Sequence, residues 1–531
     1  MKKFLGIGIV LISAGVLAAC GNQSQSAKKV SEKHDNLKVV TTFYPMYDFT
    51  KNIVGDEGDV SLLIPAGTEA HDYEPTAKDM AKIEDADVLV YHNENMEGWV
   101  EKAAESWKKG QPNVIKGTEG MVLLAGEGHD HDHDEETHDS DKDHDHDEEH
   151  KHNDDHDHEE HNHSHALDPH TWLAPNRAIQ EVESMTNQLS KLYPKKEKAF
   201  KTNAEKYIQE LSKLDESYKE ALSNAANKQF VTQHAAFGYL ALEYGLTQVP
   251  IAGLTPHDEP TPAKLAELKK YIDKNQIKYI YAEQNTSDKI AKTLAKETDV
   301  ELAELNTLEG LSQKDIDSGK NYVSVMNENL IPLKKTAGTK GAADQSSTNE
   351  TEKTVHNGYF LDKDVKDRGL SDYVGNWQSV YPLLENGSLD QVFDMKAKIG
   401  KDKTAAEYKK YYTMGYKTDV NHITITDKTM TFEANGKKQT YQYKYVGKEI
   451  LTYKKGNRGV RFLFETEDKD AGPYKYVQFS DHNIGPVKTE HFHIYFGGES
   501  QKKLLEEMDN WPTYYPSDLS AHAIAQEMMA H

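Results

Sequence analysis

The chain has 531 residues, enough for about two or three domains. Its 88 Asp and Glu against 63 Lys and Arg give a formal charge of −25, which argues against nucleic acid because phosphates would be repelled. A single cysteine, Cys20, leaves no disulfide and no thiolate metal site.

The N-terminus reads Met1-Lys2-Lys3, continues as an apolar run from Phe4 to Ala19, and reaches Leu17-Ala18-Ala19-Cys20-Gly21. A basic start, an apolar run too short to span a bilayer and small residues at its end mark a secretory signal over 1–20. The cysteine stands where a bacterial lipobox places the lipid-modified residue. Diacylation at Cys20 would hold the chain to the membrane, since one acyl chain is marginal and two are not. Polar residues 21–36 read as a tether, so a soluble body at the extracellular face of the cell membrane is expected.

Strand-like runs follow at 37–43, 87–91, 229–232 and 277–281, separated by helical patterns. That alternation predicts parallel βαβ units. Residues 129–165 interrupt it with 13 of the 26 histidines among 17 acids and two lysines. Such a segment has almost no apolar side chains to offset the entropy of ordering it. Its imidazoles and carboxylates suit a borderline divalent ion held in a mobile, low-affinity reservoir. His129, His131, His133, His144, His146, His156, His158, His161, His163 and His165 are the auxiliary capture candidates.

Over 196–225 the residues Phe200, Ala204, Tyr207, Leu211, Leu214, Tyr218 and Leu222 form one apolar stripe at helical steps. A helix of about 30 residues, roughly 45 Å long, could cross two lobes and join them. Residues 335–355 are small and polar, a linker by composition. Beyond it come short β-rich runs at 440–445 and 460–464, with Asn435-Gly436 and Gly456-Asn457 at their edges. These hairpin signals predict an antiparallel barrel or sandwich.

Three histidines outside the tract occupy loops. His71 lies in Pro65-Ala66-Gly67-Thr68-Glu69-Ala70-His71-Asp72-Tyr73-Glu74-Pro75, His170 in Leu167-Asp168-Pro169-His170-Thr171-Trp172, and His234 just after the 229–232 strand. Loops that follow strands are where open α/β sheets bind ligands. Spacing alone is weak evidence, since a lone loop histidine is a surface residue more often than a ligand. Near the C-terminus, His482, His491 and His493 fall in one short stretch. On a strand the last two share a face, and Asn483 to Pro486 can turn the chain so that His482 approaches them. By spacing, this is as compatible with surface decoration as with a three-nitrogen metal site.

With Thr42-Phe43-Tyr44-Pro45, the three loop motifs resemble the zinc-binding lipoproteins of ABC importers, in the metal-specific cluster of solute-binding proteins, over about residues 37–334. The resemblance implies that His71, His170 and His234 are metal ligands. It implies an acidic fourth ligand, assigned to Glu309 in Leu305-Asn306-Thr307-Leu308-Glu309-Gly310, where Thr307 stands at a position often held by proline. Glu283 is the reserve candidate, with a structural carboxylate role as its alternative. Asp168 and Glu74 are candidate acceptors for histidine N–H groups. Three nitrogens and one oxygen suit tetrahedral zinc, whereas harder ions such as manganese take more carboxylate.

Residues 356–531, through Tyr373-Val374-Gly375-Asn376-Trp377, His491-Phe492-His493-Ile494-Tyr495 and Trp511-Pro512, resemble ZinT, a lipocalin-like zinc-binding barrel. That resemblance implies His482, His491 and His493 as its ligands. The fusion behind a lipobox resembles the AdcA-type zinc lipoproteins. The expected fold is therefore a two-lobed α/β solute-binding protein with a long linking helix, followed by an antiparallel, lipocalin-like β-barrel. The expected function is capture of zinc outside the cell and delivery to an ABC permease by a monomer. No enzymatic step is expected. The alternatives are a manganese importer component, a surface adhesin, or a zinc hydrolase, although no HExxH-type helix is present.

Overall fold

Eight short strands, each entering a helix or loop, account for the first part of the fold. The computed structural model describes residues 36–107, 112–126, 167–258, 260–284, 286–339, 353–453 and 456–530. Cys20, the tether up to residue 35 and the histidine tract 129–165 lie outside the described residues.

The first lobe is a parallel sheet of β1 (Leu37–Thr41), β2 (Gly58–Leu62), β3 (Val88–Tyr91) and β4 (Asn113–Lys116), in the order β2-β1-β3-β4. The second repeats the pattern with β5 (Gln229–Thr232), β6 (Thr247–Pro250), β7 (Tyr279–Glu283) and β8 (Glu301–Leu305), in the order β6-β5-β7-β8. All pairs in both sheets are parallel. Strands β3 and β7 are buried along their whole length, which is why they read as apolar runs rather than as alternation.

The expected long helix is present as Glu197–Leu222, 26 residues with the whole predicted stripe buried. It joins the lobes through polar as well as apolar contacts. Tyr207 Oη donates to Asp48 in the first-lobe helix Tyr44–Val54 at 2.8 Å, and Tyr218 Oη donates to the Met326 carbonyl of the helix Tyr322–Ala337 at 2.7 Å.

Beyond residue 353 the period changes from helix and parallel strand to antiparallel strand. The strands are β9 (Gly375–Ser379), β10 (Val420–Ile425), β11 (Thr429–Ala434), β12 (Lys437–Gln442), β13 (Lys444–Thr452), β14 (Arg458–Glu465), β15 (Tyr476–Ser480), β16 (Phe492–Gly497) and β17 (Thr513–Pro516). They form one sheet ordered β12-β11-β10-β9-β17-β16-β15-β14-β13, curled into a half-barrel. Its outer strands β12 and β13 are separated in sequence by Tyr443 alone, so the sheet must curl to bring its ends together. The β11–β12 hairpin turns on Asn435 and Gly436, both at positive φ (51° and 73°), as a two-residue turn of this hand requires. Aromatic side chains, among them Tyr373, Trp377, Phe464, Phe479 and Phe492, fill the concave side.

Candidate metal centres

The first constellation is assembled from four loops. His71 sits in the loop after β2, His170 follows the second end of the histidine tract, His234 follows β5, and Glu309 follows β8. Their side chains are between 0 and 5 % exposed. Glu309 Oε1 lies 3.7 Å from His71 Nε2, 3.5 Å from His170 Nε2 and 3.3 Å from His234 Nε2, and the His71 and His170 Nε2 atoms are 3.2 Å apart. A tetrahedron with metal–ligand bonds of about 2.0–2.1 Å has edges of roughly 3.3 Å. The donors therefore stand at the separations such an ion needs. His234 Nε2 and Glu309 Oε1 are buried and make no hydrogen bond. Buried polar atoms left so are rare, and an ion between them satisfies both.

Each histidine is aimed by a partner on its other nitrogen or on its backbone. His170 Nδ1 donates to Asp168 Oδ1 at 2.8 Å, and the His170 backbone N–H donates to the same oxygen at 2.9 Å. His234 donates from Nδ1 and from its backbone N–H to the two oxygens of Glu283. A carboxylate can only accept, so in both rings Nδ1 carries the proton and the Nε2 lone pair is left for a metal. Glu283, the reserve ligand, thus holds His234. Glu74 is exposed and makes no hydrogen bond to a histidine among the described residues; Glu69, unremarked in the sequence, accepts the His71 backbone N–H at 2.9 Å.

Local strain presents Glu309. Leu308 before it has φ +61°, and its N–H donates to Asn306 Oδ1 at 2.7 Å. A left-handed leucine costs about 1–3 kcal/mol and persists only where its surroundings dictate it. Here Trp172 Nε1 donates to the Thr307 carbonyl at 2.8 Å, and Asn329 brackets the Asn306 backbone with two bonds of 2.8 Å. Gly310 lets the loop approach the first lobe, since a Cβ there would lie 2.9 Å from the Thr68 carbonyl oxygen.

The charges interlock. Burial opposes a proton on His234, but the Glu283 and Glu309 carboxylates outweigh it and raise its pKa well above the ordinary imidazole value. Burial likewise favours a neutral Glu309, yet His234 and the other two histidines hold its carboxyl well below the usual range. Glu69 is raised, by burial and then by the Glu309 charge.

Sequence reasoning missed a buried cluster behind His170. His92 Nε2 is 2.5 Å from the Pro169 carbonyl, Thr171 Oγ1 donates to Glu181 at 2.6 Å, and Glu97 accepts from the Thr42 hydroxyl and the backbone N–H groups of His92 and Asn93. Only the Tyr91-His92-Asn93 continuation of β3 hinted at it.

The second constellation sits at one end of the half-barrel. Donor atoms of His482, His491 and His493 all lie within 4.8 Å of one another, with ring centroids 5.6–5.8 Å apart. His493 lies on β16 opposite Ser480 of β15, and His482 stands just past the end of β15 in a left-handed conformation (φ +65°). Thr513 Oγ1 directs its proton to the Trp511 carbonyl at 3.0 Å, so it accepts from His493 Nδ1 at 2.7 Å and leaves Nε2 for a metal. Arg368, which carried no sequence signal, locks the His482 turn. Its Nη1 donates to both Asp481 oxygens at 2.6 and 2.7 Å and its Nη2 to the Val487 carbonyl at 2.7 Å.

These two sites can be set beside known proteins. A family described as zinc-uptake complex component A, periplasmic, matches residues 39–336, and one described as ZinT (YodA), periplasmic lipocalin-like zinc-recruitment, matches 351–531. The chain is 55% identical over its full length to the zinc-binding lipoprotein AdcA of Streptococcus pneumoniae, and covers all of that protein. It belongs to the AdcA family of zinc-binding lipoproteins. A crystal structure of Zn(II)-bound AdcA from S. pneumoniae superposes with a TM-score of 0.81 at 55% identity, covering 93% of this chain and all of that one. The chain is also similar to the high-affinity zinc uptake system protein ZnuA of Bacillus subtilis, 46% identical over 63% of this chain and 97% of that protein. AdcA proteins are solute-binding components of zinc import, not enzymes.

Proposed function

We propose that this chain captures zinc outside the cell at His71, His170, His234 and Glu309 and delivers it to an ABC permease. The observation that carries the reading is the convergence of three Nε2 atoms on one Glu309 oxygen at tetrahedral spacing. Nitrogen donors in that majority favour zinc over manganese, which prefers oxygen. A second zinc binds at His482, His491 and His493, where three neutral nitrogens leave a coordination position open for uptake and release.

The chain divides into a signal at 1–20, a tether at 21–36, a solute-binding domain that begins at 37 and whose last helix runs past the expected boundary of 334 to Ala337, a linker from there to 355 and a zinc-recruiting domain at 356–531. Cys20 carries the lipid that holds the monomer at the outer face of the membrane, and the tract 129–165 concentrates zinc. No helix among the described residues is long and apolar enough to cross a membrane. The test is a His71→Ala/His170→Ala variant assayed for bound zinc and for zinc-dependent growth. Loss of one tightly bound zinc together with loss of import is expected. Unchanged zinc content and import would overturn the assignment.

A further inference from the structure

The segment 120–124, which leaves the turn ending at Gly120, lies between the two halves of the chain, and its residues 121–123 alternate between them. Met121 and Leu123 pack with Ala174 and Tyr239 of the lobes, while Val122, 1% exposed, packs with Val392, Phe393 and Ile524 of the C-terminal half. Two glutamines of the C-terminal half strap its backbone. Gln526, in the helix Ala521–Ala530, accepts from Leu123 N–H at 2.8 Å and donates to the Leu123 carbonyl at 2.9 Å. Gln391, in the helix Asp390–Gly400, accepts from Val122 N–H at 3.2 Å and donates to the Gly120 carbonyl at 3.0 Å.

The next residue, Leu124, reaches the first metal centre. Its carbonyl accepts from Asp168 N–H at 2.9 Å, its N–H donates to Tyr239 Oη at 2.8 Å, and that hydroxyl donates to the Asp168 carbonyl at 2.8 Å. Asp168 is the residue that orients His170, and Gly238 leaves it room, since a Cβ there would lie 2.8 Å from Asp168 Oδ2. A second tie runs in parallel. Glu243, on the helix that follows His234, is held by Arg177 at 2.6 Å and by Lys398 of the C-terminal half at 2.8 Å.

We propose that the docked C-terminal half is a positioning element of the first zinc site, with Gln391 and Gln526 clamping the 120–124 strap that fixes Asp168 and thereby His170. The C-terminal half then acts on zinc twice, once through its own histidines and once by setting the affinity of a site to which it contributes no ligand. This rests on His170 being a ligand. A metal held by a histidine depends on what holds the histidine's other nitrogen. Residues one step further out shift such couplings by amounts that correspond to roughly two- to thirtyfold in affinity.

The test uses the full chain with its C-terminal site silenced by His482→Ala/His491→Ala/His493→Ala, so that tight binding reports the first site alone. Into this background go Gln391→Ala/Gln526→Ala, Val122→Asp as an independent way to break the strap, and Lys438→Ala as a control on the same half, in the β11–β12 hairpin where it pairs with Glu433. Zinc affinity is read by chelator competition, ligand geometry by the visible spectrum of the cobalt(II) form, and strap release by hydrogen exchange of 120–124. The expected result is release of the strap, zinc binding weakened roughly three- to tenfold, and an altered cobalt spectrum in both strap variants but not in the control. A freed strap with unchanged affinity and spectrum would overturn the proposal, as would a strap that stays protected in both variants. A parallel His170→Ala variant separates the two readings. If it binds zinc normally, the site assignment fails. If it loses zinc while the strap variants keep it, the clamp alone fails.

Discussion

His234 shows how one side chain carries both binding and its pH dependence. A metal needs its Nε2 bare, yet Glu283 and Glu309 together raise its pKa well above the imidazole norm. Both carboxylates favour the protonated ring, so zinc competes with a proton for Nε2. Affinity should fall as pH is lowered, beginning above the unperturbed value of about 6.5. Calorimetry of zinc binding at pH 7 in buffers of different ionisation enthalpy should show proton release; none would refute the assignment. Glu283→Gln keeps the shape but makes the acceptor neutral. It should lower the His234 pKa, reduce that release, and weaken zinc by about 10–100-fold, measured by competition with a chelator.

At the scale of elements, the sites are built by loops, with His493 on β16 the exception, that rigid strands and buried pairs hold in place. The 306–310 loop is an example: Leu308 is forced into a left-handed conformation and Gly310 meets the opposite lobe. Gly310→Ala should push this loop from Thr68, displace Glu309 and weaken zinc while leaving the fold intact, as read by circular dichroism and zinc competition. In the half-barrel, Arg368 and Asp481 are both fully buried in side chain. Arg368→Ala leaves Asp481 unpaired, a loss of about 3–5 kcal/mol, and frees the turn that presents His482. Denaturant titration should show the destabilisation, and the C-terminal site should lose zinc.

Among the described residues stand two candidate centres with different supports, one enclosed between lobes and one at the end of a curled sheet. Metal analysis should find two tightly bound zinc ions per chain. The His71→Ala/His170→Ala variant and the His482→Ala/His491→Ala/His493→Ala variant should each retain one. Equal loss from both centres in either variant would mean that they do not fill independently.

Local pattern made much of this legible. The apolar stripe of 196–225 emerged as the helix Glu197–Leu222, the buried strand runs as β1, β3, β5 and β7, and Asn435-Gly436 as a hairpin turn, because each depends on neighbours a few residues away. The separated histidines drew their weight from motif resemblance, since spacings of 99 and 64 residues say nothing of proximity. What tertiary structure decided is which groups face one another: Glu309 toward three nitrogens, Glu283 behind His234, Asp168 behind His170, Arg368 beneath His482, and the 120–124 strap between the two halves. Most of these contacts join a loop to an element distant in sequence. A linear chain carries no signal for them, because the direction of a loop side chain is set by the body it packs against rather than by its own sequence.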